Sequence, residues 1–182
     1  MTSLLLAAGA TAPAFGANTG DRGKVVVAYV SRSGNTRVIA GQIHRSLSAD
    51  LVEIEPATPY PADYFETVEK ARQERDSGFE PQLKSRIAGI ASYTTVFLGF
   101  PIWGETTPPI IRSFLSKHDL SGKTIVPFVT HGGYGLGNSL SVLRAHAPEA
   151  MIVEGFTLQA PQERQTITRV NEWLGSFEQW RQ

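Results

Sequence analysis

The chain contains no cysteine, which excludes disulfides, thiolate metal sites and thiol nucleophiles. It also carries no excess of either charge: 17 Lys plus Arg stand against 17 Asp plus Glu, a formal net charge of zero. The broad attraction that draws basic proteins to nucleic acid or anionic membranes is therefore missing, and any anionic ligand must be held locally. The four histidines, His44, His118, His131 and His146, fall in no metal-ligand spacing such as H-E-x-x-H. No G-x-S-x-G elbow offers a hydrolase nucleophile, and no apolar run is long enough to span a bilayer as a helix. What is present is an ordinary domain of 182 residues with 41% hydrophobic content, 17 glycines and 11 prolines. A chain of that length buries roughly 70% of its unfolded surface and needs no staple.

Residues 1–22 stand apart as a leader, and residues 23–182 read as a single domain. The apolar run Leu4 to Ala8 is followed by small residues ending in Ala12-Pro13-Ala14. This has the form of an export signal that lacks its basic head, because no Lys or Arg precedes Arg22. A periplasmic or exported protein is the expectation, with an apolar leader on a cytoplasmic protein as the alternative.

From Lys24 onward short apolar runs alternate with turns and segments of helical period. Val25 to Val30, Leu51 to Ile54, Val96 to Phe100, Ile125 to Val129 and Ile152 to Leu158 read as strands. Most are apolar on both faces, as in a parallel sheet covered by helices. Thr36 to Leu47, Pro109 to Leu115, Ser139 to Ala147 and Ile167 to Trp180 read as helices. The longer stretch Pro56 to Tyr93 reads as a two-helix crossover, with pieces at Ala62 to Asp76 and Leu83 to Ile90. On the first piece, Tyr64 and Phe65 are expected to pack on the sheet together with Tyr60, with Tyr60 at the border of a substrate entrance as the alternative, and the mixed charges to form a solvated face. Trp173 and Trp180 read as helix-face packing. The whole is an α/β three-layer sandwich around a five-stranded parallel sheet.

Ligands of such sheets bind beyond the carboxyl ends of the strands, beside the point where strand order reverses. Three loops lie there. After strand one comes Ser31-Arg32-Ser33-Gly34-Asn35-Thr36, whose hydroxyls, glycine and helix N-terminus suit a monoester phosphate. It is not a triphosphate loop, since no lysine follows the glycine. After strand three comes Pro101-Ile102-Trp103-Gly104-Glu105, in which a proline-bracketed tryptophan offers a flat wall to a planar ligand. After strand four comes Thr130-His131-Gly132-Gly133-Tyr134-Gly135, where glycines allow close backbone approach and His131 is placed to donate a proton or a hydrogen bond. That run is not a dinucleotide fingerprint. Ser121-Gly122-Lys123-Thr124 precedes a strand and reads as a turn. A receiver domain is set aside because Gly99-Phe100-Pro101 stands where its aspartate belongs.

Taken together, the three loops resemble those of the flavodoxin family, and the text around Gly99 to Trp103, Ser121 to Thr124 and Pro127 to Thr130 resembles its short bacterial FMN proteins and NAD(P)H-dependent FMN reductases. The likeness covers about Lys24 to Phe156. It implies strand order 2-1-3-4-5 and FMN as cofactor. The phosphate would lie on the hydroxyls of Ser31, Ser33 and Thr36 and the N–H groups of Gly34, Asn35 and Thr36, with Arg32 nearby. The ring would lie between the second and third loops, against Trp103, with Tyr134 as the opposite wall. The resemblance also implies that the peptide after Gly104 turns its carbonyl toward the ring, and His131 and Glu105 are the weak catalytic candidates. Carrier flavodoxins are often strongly acidic, and this chain is neutral, which leaves room for a small quinone-like acceptor beside a redox partner protein. A flavin-free phosphate-binding interaction domain on the same scaffold is the alternative of another class.

Overall fold

The computed structural model describes residues 23–160 and 163–177. The leader and Trp180 lie outside the described residues. The chain runs β1 (Lys24–Tyr29), α1 (Asn35–Leu47), β2 (Asp50–Glu53), α2 (Tyr64–Ser77), β3 (Tyr93–Pro101), α3 (Pro109–Lys117), β4 (Thr124–His131), α4 (Ser139–His146), β5 (Met151–Ile152), β6 (Phe156–Gln159) and α5 (Glu163–Ser176). All strand pairs are parallel, in the order β2-β1-β3-β4-β5, with β6 also on β4. This is the expected order. It reverses at β1, which has β2 on one side and β3 on the other.

The doubly apolar strands explain the layers, because successive side chains point to opposite faces. Val26, Ala28, Val96, Leu98, Phe100 and Ile125 join Ile110, Phe114 and Leu143 from α3 and α4 in one core. Val27, Phe97, Val126 and Phe128 join Ile39 and Ile43 of α1 and Val170 and Leu174 of α5 in the other. Trp173 closes this second core, with its ring 5.9 Å from Phe97 and 5.2 Å from Phe156.

Two elements differ from the sequence reading. The fifth strand is divided into β5 and β6. Thr124 pairs with Met151 and Ile125 with Ile152, whereas Phe128 pairs with Phe156, so one extra residue is accommodated between the two stretches. Val153 N–H still donates to Ile125 O at 3.1 Å. The β4 residue due to donate next toward this edge is Pro127, which has no N–H.

The second difference is in the crossover. Leu83 to Ile90 is not a helix; only the 3-10 turn Ile90–Ser92 follows α2 before β3. Ala57 N–H donates to Gln82 O (2.7 Å) and Lys84 N–H to Glu55 O (2.8 Å), so the segment pairs with the chain leaving β2. Ile87 N–H donates to Nε2 of the buried His118 at 2.9 Å. Leu83, Ile87 and Ile90 then pack on the α3 and α4 side of the sheet. Among the described residues, no helix is long and apolar enough to cross a membrane.

Candidate functional site

The loops after β1, β3 and β4 converge with α2 around a cavity of about 750 Å³. In the first loop Ser31 Oγ accepts N–H bonds from Gly34 (3.1 Å) and Arg37 (3.3 Å), folding the turn onto the start of α1. Gly34 stands at the N-cap with φ 92°, a left-handed conformation that glycine adopts freely. The first turn of α1 holds no acidic residue and its N-cap residue is a glycine; apart from the Arg37 N–H taken by Ser31, its positive end is left to an anion. Thr36 is buried, with its hydroxyl 2.9 Å from that of Thr130, and so ties this loop to the end of β4. Ser33, Asn35 and Arg32 face the cavity. The Arg32 guanidinium donates to Ala62 O at 3.1 Å and lies over the Tyr64 ring.

The second loop is a tight turn. Trp103 N–H donates to Thr106 O at 3.0 Å, and Gly104 and Glu105 between them have φ 60° and 62°. Two successive positive φ angles are the signature of a type I′ turn, and at Glu105 a residue with a β-carbon is held in that strained region. The neighbours fix it: Ile102 N–H donates to Thr130 O (2.8 Å) and Asn138 N–H to Glu105 O (3.2 Å). A β-carbon on Gly137 would collide with the Glu105 carbonyl. Trp103 meets the edge of Tyr60, with ring centroids 5.0 Å apart. Tyr60 is itself held by its hydroxyl, which donates to Glu74 Oε2 at 2.7 Å; burial first, then this carboxylate, pushes the phenol's pKa up. Behind the turn the hydroxyls of Thr106 and Thr107 are buried without a partner.

In the third loop, Nδ1 of His131 accepts N–H bonds from Gly133 (3.1 Å) and Gly135 (3.2 Å). Nδ1 therefore carries no proton, and the ring's N–H is on Nε2. Tyr134 is 78% exposed at the mouth.

The family model for flavodoxin matches residues 24–177. The chain belongs to the flavodoxin family. Its likeness to solved flavodoxin-like structures extends to two Bacteroides proteins assigned as flavoproteins. That of Bacteroides eggerthii is 35% identical, with TM-score 0.73 and coverage of 84% of this chain and 96% of that one. That of Bacteroides uniformis is 30% identical, with TM-score 0.74 and coverage of 84% and 98%. A Lactobacillus acidophilus flavoprotein in complex with FMN is 18% identical, with TM-score 0.66 and coverage of 82% and 97%, a likeness of fold. No curated protein matches the chain.

Arg32, Ser33, Asn35, Pro101, Ile102, Trp103, Gly104, Glu105, Thr130, His131, Gly132 and Tyr134 line the cavity. Ser31, Gly34 and Thr36 shape the first loop from behind, and Gly133 and Gly135 are held by His131. The sequence reading missed α2. Its Tyr64, Thr67, Val68, Ala71, Arg72 and Arg75 form a whole wall of the cavity. Tyr64 and Phe65 are not packed on the sheet as expected; they are 58% and 77% exposed. The positions 64, 67, 68, 71, 72 and 75 fall at i, i+3, i+4, i+7, i+8 and i+11, one helical face. That spacing was the available signal, obscured by the charges on the rest of the helix.

Proposed function

We propose that the crevice holds FMN and that the protein is a flavin-dependent redox protein serving a small planar acceptor. The observation that carries the first part is the convergence, at the reversal point of the strand order, of an anion cradle and an indole wall. Ser33, Asn35 and the start of α1 would take the phosphate, with Arg32 adding positive charge. Trp103 would offer its face to the ring, its tilt set by Tyr60. When bound, the flavin supplies the electron chemistry that a cysteine-free chain cannot. His131 and the Gly104–Glu105 peptide are among the hydrogen-bonding groups this chain sets at the cavity.

What supports a small acceptor over a charged protein partner is the charge balance together with α2, which narrows the approach to the cavity from one side. The test is titration of the purified chain with FMN, followed by flavin absorption and fluorescence quenching. Binding should weaken about tenfold or more in Trp103→Ala, because an aromatic pair contributes about 0.5–1.5 kcal/mol beyond the apolar area it buries. Ser33→Ala should weaken FMN but not riboflavin, which lacks the phosphate. A chain that ignores FMN would sink the proposal. Acceptor turnover with NAD(P)H and no added reductase would favour an enzyme over a carrier.

A further inference from the structure

We propose that the cavity-facing side of α2 is a subsite for a planar quinone, neutral or anionic, and that Arg75 is the residue that selects it. This rests on the FMN reading for the opposite side of the cavity. Three observations carry it.

The first is the packing of α2. The helix buries only Thr67, Ala71 and Glu74, yet its cavity face carries Tyr64 and Val68, which are 58% and 46% exposed. These apolar groups face a cavity and have no core to fill. A helix face of this kind, lining a concave site, suits the flat apolar body of a small ligand.

The second is the state of Arg75. Its Nε and second terminal nitrogen are both taken by Asp76 Oδ1, at 3.0 and 2.9 Å. The remaining terminal nitrogen has no acceptor among the described residues and lies 2.4 Å from where a β-carbon on Gly104 would be. One carboxylate thus anchors the guanidinium while one N–H group is directed at the second loop, and only 28% of the side chain is exposed.

The third is the balance of donors and acceptors on the cavity wall. Arg32, Arg75 and His131 Nε2 offer N–H groups not committed to a carboxylate, against the single carboxylate of Glu105. Arg72 lines the same wall but is occupied by Glu69 and Asp76. A ligand matched to this wall must bring oxygen acceptors and no positive charge. A quinone brings two carbonyl oxygens on a flat ring, and a sulfonated or carboxylated one adds an anion for Arg75. A cationic acceptor meets repulsion.

The experiment uses the full chain loaded with oxidised FMN, with no reductant present, so that binding is read without turnover. 1,4-Naphthoquinone-2-sulfonate and methyl viologen are titrated separately, and perturbation of the flavin absorption gives each Kd. The sulfonate should bind and the viologen should not. Arg75→Gln should weaken the sulfonate about tenfold, the loss of one charge-assisted hydrogen bond, and Arg75→Lys should restore part of it. Val68→Glu, on the same helix face, should also weaken it, whereas Phe65→Glu, off that face, should leave it unchanged. Viologen binding as tight as the sulfonate's, or Arg75→Gln and Val68→Glu without effect, would overturn the subsite while FMN binding stands. Absence of FMN binding in the unmodified chain would overturn both readings.

Discussion

The site turns on single residues held in conformations or protonation states that their neighbours impose. Glu105 is the clearest. Its φ of 62° is a position at which a β-carbon costs roughly 1–2 kcal/mol, and the turn's own hydrogen bonds, the carbonyl contact with Asn138 and the close fit of Gly137 hold it there. Glu105→Gly should therefore stabilise the chain by up to about 1 kcal/mol, with glycine returning part of the gain as unfolded-chain entropy. Thermal unfolding checks this; a fall in Tm would show that the turn draws more from the Glu105 side chain than from relief of strain. His131 makes a similar point about protonation. With Nδ1 committed to two backbone N–H groups, the imidazole holds its loop in shape and presents Nε2–H, a donor, as the group available to a ligand.

At the scale of elements, the crossover between β2 and β3 decides what the site becomes. After α2 the chain returns along the sheet in extended form, and the buried His118 holds it. Nε2 of His118 accepts from Ile87 N–H, so Nδ1 donates to Phe114 O at 2.8 Å. Burial is the main cause that lowers this imidazole's pKa below its ordinary 6.5; the Phe114 bond opposes the shift and Arg86 adds to it. A base whose pKa is lower folded than unfolded takes up its proton first in the unfolded chain. Its contribution is thus complete above about pH 6.5 and is lost as the pH falls through 6.5 toward the folded value. The urea midpoint should drop between pH 7.5 and pH 5, and the drop should be smaller in His118→Gln. Equal drops would place the acid sensitivity elsewhere. The edge of the sheet shows the same dependence of an element on one residue: Pro127 withholds the N–H that a continuous fifth strand would need.

For the whole molecule, a net charge of zero bears on encounter. Long-range steering scales with the product of the two charges and is screened by salt, so a chain without net charge should meet an anionic quinone at a rate that changes less than about twofold between 10 and 500 mM salt. Stopped-flow reoxidation of the loaded, reduced protein tests this. A steep fall with salt would show that local positive patches, and not the net charge, dominate the field. The leader adds a second whole-chain proposal, export followed by cleavage near Ala14, which cell fractionation and sequencing of the mature N-terminus would decide.

The sequence by itself determined the layered α/β sheet, because strands apolar on both faces can be buried only between two helical layers. It also determined the three loops, because their hydroxyls, glycines and tryptophan are local chemistry legible without neighbours. Only the tertiary structure decided which of those groups face the cavity. Ser31 and Thr36 carry the right hydroxyls, but the folded turn directs Ser31 to the N–H groups of Gly34 and Arg37, and a contact across the fold directs Thr36 to Thr130. Only the tertiary structure, too, placed α2 along the crevice. Its stripe from Tyr64 to Arg75 has helical spacing in the sequence, but spacing fixes a face and not what that face meets; here the extended return from Phe79 to Gly89 fills the sheet-covering position and leaves the helix to wall the site.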